Sequence, residues 1–298
     1  LLWIASSWRP AAEFSYLSLK SMFSFGSRML VSGLIDTFFN NILQTFIGKI
    51  FSAVDLGYYT RAKTMETSAT FATSASLGQV TYPALTPYQD NDVLLKKVYR
   101  KTIRLSLFFH FPLMIGLWSI ADPLFRLLLT DKWAPSIPYF QILCFAGLLY
   151  PLHVLNLNIL KVKGRSDLFL RLEIIKKAVI ILVILVTYRW GIIALLFGQI
   201  GISIFAYFIN SYYSGRLISY RQTEQLWDLI PSFLTTFIMG LGMYLGGMLN
   251  LQNNFYQIIV QLFIGISIYM SLNFVIKSPE LKEAKNIITN LLKIETAN

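Results

Sequence analysis

Long apolar runs, separated by short charged breaks, dominate this sequence. A transmembrane helix needs about 20 consecutive, mainly apolar residues. Eight runs reach or approach that length, and only 14% of the residues are charged, whereas ordinary soluble domains carry about 25% charge. A water-soluble fold would have to bury nearly all of this apolar surface. The sequence therefore predicts an all-α polytopic membrane protein with about eight transmembrane helices.

The charged and Pro/Gly-rich breaks set the approximate ends of these spans. The second span is the least apolar, because it holds Arg61, Lys63 and Glu66 together with many Thr and Ser residues. The predicted spans are 22–48, 55–82, 104–128, 137–160, 169–188, 191–213, 229–249 and 254–276.

Basic residues alternate in number from one predicted connection to the next. Twenty of the 26 Lys and Arg residues fall on one side, and the other six fall on the opposite side. Cytoplasmic loops retain positive charge, so the richer side is predicted to be cytoplasmic, with both ends of the chain on it. The richer connections are 9–28, 96–104, 161–177, 216–221 and the tail from Lys277.

Several function classes lack their usual motifs. The net charge of +11 lies between apolar runs rather than in a nucleic-acid-binding motif, so nucleic acid is not expected as a partner. Cys144 is the single cysteine, with no partner for a disulfide or a metal site. No nucleotide loop, metal-spaced His/Cys set or G-x-S-x-G is present. We therefore expect no catalytic residues, no metal and no cofactor.

Polar side chains recur at helical spacing in the first two spans. Ionisable groups in mid-span are costly unless they face a partner or a wet cavity. The stripes therefore predict a hydrated interior, although Ser, Thr and Asn also serve as ordinary hydrogen-bonding groups between membrane helices. The acids Asp36 and Glu66 are the stronger functional candidates. The stripes are Arg28, Ser32, Asp36 and Asn40 in the first span, and Tyr59, Lys63, Glu66, Thr70 and Thr73 in the second.

Two histidines lie within later apolar runs. His110 precedes Pro112 in the third span, and His153 follows Pro151 in the fourth. A single histidine in an apolar run is more typical of a core residue with satisfied hydrogen bonds than of a proton carrier.

Short strings between Phe23 and Tyr213 resemble, in order and spacing, the Wzx-like, lipopolysaccharide-biosynthesis branch of the multidrug, oligosaccharidyl-lipid and polysaccharide exporter superfamily. The strings are Ile47-Gly48-Lys49, Asp55-Leu56-Gly57-Tyr58-Tyr59-Thr60-Arg61-Ala62, Val80-Thr81-Tyr82-Pro83-Ala84-Leu85, Asp122-Pro123-Leu124-Phe125, Thr130-Asp131-Lys132-Trp133, Pro138-Tyr139-Phe140-Gln141-Ile142-Leu143 and Lys163-Gly164-Arg165-Ser166-Asp167.

The resemblance implies a fold of two six-helix lobes, often followed by two extra helices, with substrate crossing between the lobes. This chain then corresponds to the second lobe and the extra pair, and we expect the first lobe to be missing from it. Leu1 to Ser7 match the end of a preceding helix. The implied division is 1–21 helix end and linker, 22–213 six-helix lobe, 214–228 cytoplasmic loop, 229–276 two further helices and 277–298 cytoplasmic tail.

The resemblance also implies a substrate, an undecaprenyl-diphosphate-linked oligosaccharide flipped across the bacterial inner membrane for lipopolysaccharide or exopolysaccharide biosynthesis. Implied partners are membrane lipids, the first lobe and the polysaccharide polymerase machinery. A diphosphate leaving water requires paired positive charge. From their placement, Arg28, Arg61, Lys63 and Arg104 are predicted to supply it, and Asp36 and Glu66 are predicted to couple transport to protons or other ions.

Two alternatives differ in their expected sequence features. A membrane-embedded polysaccharide polymerase or ligase would carry a sizeable outward loop with catalytic Arg or His, whereas the predicted outward loops are short, the longest running from about Thr130 to Ser136. A drug exporter of the same superfamily would share the fold, but the matched strings favour the polysaccharide branch.

Overall fold

The computed structural model describes residues 14–249 and 251–295, and regular structure in these ranges is helical. The predicted helix end at Leu1 to Ser7 lies outside the described residues. The helices are α1 Tyr16–Asn40, α2 Ile42–Ile50, α3 Ala53–Leu85, α4 Asp92–Ser119, α5 Ala121–Leu129, α6 Ser136–Gly147, α7 Tyr150–Val162, α8 Ser166–Thr187, α9 Ile192–Leu217, α10 Gln222–Gly247, α11 Asn254–Val275 and α12 Pro279–Glu295.

Polar side chains fix where several helices begin. The Ser52 hydroxyl accepts from the Asp55 N–H at the start of α3, and the Asp55 carboxylate accepts from the Ser52 N–H, which forms a capping box. Asn91 and Asn253 accept backbone N–H groups at the starts of α4 and α11. The breaks between the apolar runs therefore contain their own helix-start signals.

The all-α polytopic membrane fold is confirmed. Five helical segments are long and apolar enough to cross a bilayer: Asp92–Ser119, Ser136–Val162, Ile192–Leu217, Gln222–Gly247 and Asn254–Val275. The second of these contains α6 and α7, which are separated by a short break at Leu148 and Leu149.

Three predicted spans lie on helices that fall below this apolarity: 22–48 on α1 and α2, 55–82 on α3, and 169–188 on α8. Charged residues within these helices lower their apolarity: Asp36 on α1, Lys63 and Glu66 on α3, and Glu173 and Lys176 on α8. They also line a cavity that contains charged side chains. Their polar residues therefore face this cavity as well as neighbouring helices. Their passage across the membrane stays a prediction.

Helix packing divides the chain into two connected parts. In the first, α1 packs on α8, α3 packs on α6 and α7, and α9 packs on α6, α7 and α8. In the second, α10 and α11 pack on each other, and α10 packs on α4. One apolar core joins the two parts, because buried residues of α10 and α11 belong to the same contact cluster as those of α3 to α7.

Two segments predicted to lie outside the membrane contain helix. Most of the loop predicted at 214–228 is helical: α9 runs to Leu217 and α10 begins at Gln222, which leaves 218–221 between the two helices. Polar residues in this segment serve as helix ends: Arg216 lies in the last turn of α9 and Glu224 in the first turn of α10, where each complements the helix dipole. In the predicted tail, Pro279–Glu295 form α12.

Ion pairs bring together the connections that were predicted to be cytoplasmic. Lys96 of α4 pairs with Glu224 at 2.7 Å, and Lys101 pairs with Glu283 of α12 at 2.6 Å. Lys163, in the turn after α7, pairs with Asp92. The contacts show that these connections lie at one end of the bundle, while the side of the membrane they face stays a prediction.

Candidate functional site

A cavity of about 580 Å³ lies among α1, α3, α7, α8 and α9 and the end of α6. Its walls are mainly apolar, as in most ligand sites, with a small set of charged groups. Three of the ionisable lining side chains are lysines and three are carboxylates. The ionisable lining residues, apart from tyrosines, are Asp36, Lys63, Glu66, His153, Lys161, Glu173 and Lys176.

Helix α3 contributes the Lys63–Glu66 pair, with Lys63 Nζ 2.6 Å from Glu66 Oε2. The other carboxylate oxygen, Oε1, accepts from the Thr70 hydroxyl at 2.9 Å. Residues three and four apart share one face of a helix, so the polar stripe read from the sequence forms a connected set. Glu66 is buried, whereas the Lys63 side chain is 37% exposed, which leaves the ammonium group free to move.

Helix α8 contributes a second charged group, and α1 joins it. Glu173 pairs with Lys176 in the next turn and lies 3.7 Å from Lys177 Nζ. Lys177 Nζ donates to Asp36 Oδ1 of α1 at 2.7 Å. This bond links two helices that are far apart in sequence and explains the contact of α1 with α8.

Lys161 and His153 complete the polar lining on α7. Lys161 Nζ lies 5.2 Å from the centre of the Phe169 ring, and within the described ranges no carboxylate lies at ion-pair distance from it. His153 Nε2 is 3.1 Å from the Ser203 hydroxyl of α9. Lys161 is therefore the lining lysine whose charge stays available to a ligand.

The break between α6 and α7 shapes the floor of the cavity. A Cβ on Gly147, the last residue of α6, would lie 2.6 Å from Glu66 Oε1 and 3.0 Å from Met114 Cε. The Gly147 carbonyl lies 3.1 Å from His110 Nε2 of α4. A glycine at this position therefore lets α3, α4 and α6 meet directly beneath the carboxylate.

Half of the predicted site residues line this cavity. Asp36, Lys63 and Glu66 do so. The carboxylates Asp36 and Glu66 belong to separate groups, one bound to Lys177 and the other to Lys63. The side chain of Asn40, predicted in the same stripe as Asp36, lies outside the described residues.

The three predicted arginines lie elsewhere. Arg28 is exposed on α1, and the Arg61 guanidinium lies over the Trp133 ring at 4.8 Å. Arg104 lies in a separate cleft beside the first half of α4, where its Nε donates a hydrogen bond to Glu280. The structure therefore does not bring the four predicted cations together, and their binding role stays a prediction.

Sequence reasoning missed three charged residues of the cavity lining, and Lys177 that pairs with Asp36, because 161–177 was counted as a cytoplasmic connection. Glu173, Lys176 and Lys177 instead lie within α8, and Lys161 lies in the last turn of α7. A signal was available: Glu173, Lys176 and Lys177 all fall inside the predicted span 169–188. The cost of mid-span charge, applied there as it was to Asp36, would have identified them.

The charged side chains of the cavity can bind an ion or a charged group of a ligand. In the part of the chain that the structure describes, no group of three His, Cys, Asp or Glu residues is placed to hold a metal. Cys144 is buried and free. The cavity contains ion pairs in which a charged ligand can replace one partner through charge-assisted hydrogen bonds.

Comparison with known proteins gives consistent relatives. A family described as "Polysaccharide biosynthesis protein" matches residues 1–138. The chain is 29% identical over 161 residues to the teichuronic acid biosynthesis protein TuaB of Bacillus subtilis, covering 54% of this chain and 33% of that protein. It is 24% identical over 169 residues to the lipopolysaccharide biosynthesis protein WzxC of Escherichia coli, covering 57% and 34%.

A longer match covers more of both chains. The amylovoran biosynthesis protein AmsL of Erwinia amylovora is 21% identical over 230 residues, which cover 74% of this chain and 59% of that protein. The matched parts thus span about a third to three fifths of the relatives. No solved structure matches significantly. The findings confirm the resemblance to Wzx-like proteins and support a role in polysaccharide biosynthesis.

Proposed function

Proceeding from this confirmed resemblance, we propose that the chain is one lobe of a flippase that moves lipid-linked oligosaccharide repeat units across the bacterial inner membrane. The supporting observation is the cavity, in which charged side chains line a space inside an otherwise apolar helical membrane protein. Charge within a membrane helix bundle is kept where it serves a ligand or an ion. The proposal makes the protein a transporter and not an enzyme.

The phosphoryl groups of the carrier lipid are the natural ligand for this charge. Lys161 carries a charge with no carboxylate at ion-pair distance among the described residues, and Lys63 and Lys176 can exchange an intrahelical carboxylate for a phosphate. Charge-assisted hydrogen bonds are each worth about 1.5–3 kcal/mol. In this proposal Lys161 holds the phosphoryl group first, and the lysines of α3 and α8 follow.

Coupling would use the carboxylates Asp36 and Glu66 when their lysine partners move away. Asp36 and Glu66 accept hydrogen bonds from Lys177 and Lys63, respectively. A lysine that turns to phosphate leaves a carboxylate that favours an incoming cation or proton. Independence of transport from both proton and sodium gradients would argue against this part of the proposal.

The first test is to delete the gene and to locate the lipid-linked repeat units that accumulate. The proposal predicts accumulation on the cytoplasmic face, relieved by the complete gene. Accumulation on the outer face would show that flipping proceeds without this protein, and would favour the polymerase or ligase alternative.

A pair of matched variants tests the cavity. Lys161→Met in the complete protein should lower the flipping rate at least about tenfold, since one charge-assisted contact is lost. Lys97→Met changes an exposed lysine in the cleft beside the first half of α4 and should leave the flipping rate unchanged. Equal rates for Lys161→Met and the unmodified protein would remove Lys161 from the site.

A further inference from the structure

His110 is a buried titratable group with no part in the function proposed above. It lies on α4 and is 0% exposed. Its Nδ1 is 2.7 Å from the Thr73 hydroxyl of α3, and its Nε2 is 3.1 Å from the Gly147 carbonyl at the end of α6. Both ring nitrogens thus have a partner, and the partners lie on two different helices.

The chemistry of these partners fixes which nitrogen can change its protonation. A carbonyl oxygen only accepts hydrogen bonds, so Nε2 carries a proton in both charge states of the ring. A hydroxyl both donates and accepts, and Thr73 Oγ1 also lies 3.1 Å from the Thr70 carbonyl. Nδ1 is therefore the atom at which a proton binds.

Both charge states are satisfied without movement of a heavy atom. In the neutral ring, Nδ1 accepts the Thr73 hydroxyl proton. In the charged ring, Nδ1–H donates to Thr73 Oγ1, and the hydroxyl proton turns to the Thr70 carbonyl. A histidine held by two carbonyl groups would lack this property, because the neutral ring could satisfy only one of them.

Glu66 and His110 both lie against Gly147. The Gly147 carbonyl accepts from His110, and a Cβ on Gly147 would lie 2.6 Å from Glu66 Oε1. Lys63 neutralises Glu66 at 2.6 Å. The charge that His110 experiences therefore depends on whether Lys63 stays on Glu66.

Other ionisable groups lie on the helices packed against α4. On α3 and α7, Arg61 and Lys161 lie over the Trp133 and Phe169 rings, respectively. Cys144 of α6 and Tyr150 of α7 interact with the same Glu66 carboxylate. The remaining charged groups near α4 pair at the two ends of the bundle, and they are Glu224 with Lys96, Asp228 with Arg100, Glu280 with Arg104, Glu283 with Lys101, and Asp122 with Arg126.

We propose that His110 is a proton-binding site whose occupancy is set by the Lys63–Glu66 ion pair. When Lys63 leaves Glu66, a hydronium ion transfers a proton to Nδ1: one O–H bond breaks, one N–H bond forms and a water molecule is released, and the imidazolium balances the Glu66 carboxylate. That a phosphoryl group draws Lys63 away rests on the proposed function. The link between the Lys63–Glu66 ion pair and the His110 ring needs no substrate, because all three residues belong to this chain.

The test reads the protonation of the ring directly. This chain holds two histidines, so in a ¹⁵N-histidine spectrum of the reconstituted protein the His110 signal is the one that a His153→Gln background keeps and that His110→Gln removes. Between about pH 5 and 8, the protonated fraction of His110 should at least double in Lys63→Met, which leaves the carboxylate unneutralised. It should fall to half or less in Glu66→Gln, which keeps the side-chain shape.

Lys97→Met, the distant lysine variant, should leave the fraction unchanged. A ring signal that is the same in Lys63→Met and in Glu66→Gln as in the background would overturn the proposal. So would a proton found on the Glu66 carboxyl group in Lys63→Met. Because no substrate or transport is involved, a failed flipping assay would leave this result intact, and the reverse also holds.

Discussion

The ion pairs along the first half of α4 and those in the cavity use the same residue types in different ways. In the first half of α4, the Arg100 guanidinium donates two hydrogen bonds of 2.6 Å to Asp228 of α10. In the cavity, Lys63 pairs with Glu66 within α3. The first arrangement joins two helices, whereas the second lies along one.

This difference indicates which charges can move. A pair between helices holds part of the tertiary structure, so losing it costs stability. A pair within one helix can open while the helices stay packed, and a ligand can then take its place. Asp36–Lys177 is the cavity pair that joins two helices, and Lys177 has a second carboxylate within 3.7 Å in Glu173.

The largest effect is expected at the turn between α9 and α10. A Cβ on Gly215 would lie 2.4 Å from the backbone oxygen of Tyr220, and a backbone atom cannot rotate away. Gly215→Ala should lower the free energy of unfolding by about 2–3 kcal/mol, measured by SDS titration in micelles. Gly201→Ala, where a Cβ has no neighbour within 4 Å, is the matched control and should not destabilise.

Removing the charge of Asp228 tests the pairs between helices. The carboxylate is 6% exposed, and it accepts from the Tyr220 hydroxyl as well as from Arg100. Asp228→Asn should cost about 2 kcal/mol, because the guanidinium loses its bidentate partner. Asp122→Asn, at the exposed Asp122–Arg126 pair, is the control. An equal loss in both variants would remove the distinction between cross-linking and local pairs.

Gly147→Ala places a methyl group against the floor of the cavity. The atoms in its way, Glu66 Oε1 and Met114 Cε, end flexible side chains. The cost should therefore be about 1 kcal/mol, less than for Gly215→Ala. Stability in SDS titration would give this difference. A loss as large as that of Gly215→Ala would mean that the floor of the cavity is as rigid as the turn.

The smallest effect is expected for Asp36→Asn. The Asp36 side chain is 49% exposed, and exposed ion pairs contribute about 0–1 kcal/mol. Lys177 keeps Glu173 nearby, so the free energy of unfolding should change by under about 0.5 kcal/mol. A loss comparable to that of Asp228→Asn in the same titration would show that α1 depends on this bond.

The fold followed from the sequence where local signals decide it. Apolar runs predicted the helices, whereas the predicted span ends at 55 and 104 made no use of the capping residues Ser52 and Asn91 that begin α3 and α4. Lys63 and Glu66, which belong to the predicted stripe from Tyr59 to Thr73, line the cavity. These features depend on spacing within one helix, which a sequence displays directly.

Contacts between distant segments could not be read in this way. Arg104 was predicted from its placement to bind the diphosphate, but Glu280, 176 positions away, pairs with it in a separate cleft. Asp36 meets Lys177 across 141 positions. Such pairs depend on which helices pack together, and one sequence gives no direct signal for that.

Water access to the cavity tests the central claim most directly. In a Cys144→Ala background, Ser203→Cys places a thiol in the cavity lining, and Ile204→Cys places one on the exposed apolar face of the same helix. In intact membranes, a charged maleimide should modify Cys at position 203 at least about ten times faster, since thiolate chemistry requires water. Equal or slower labelling at position 203 would contradict a hydrated, charge-lined cavity.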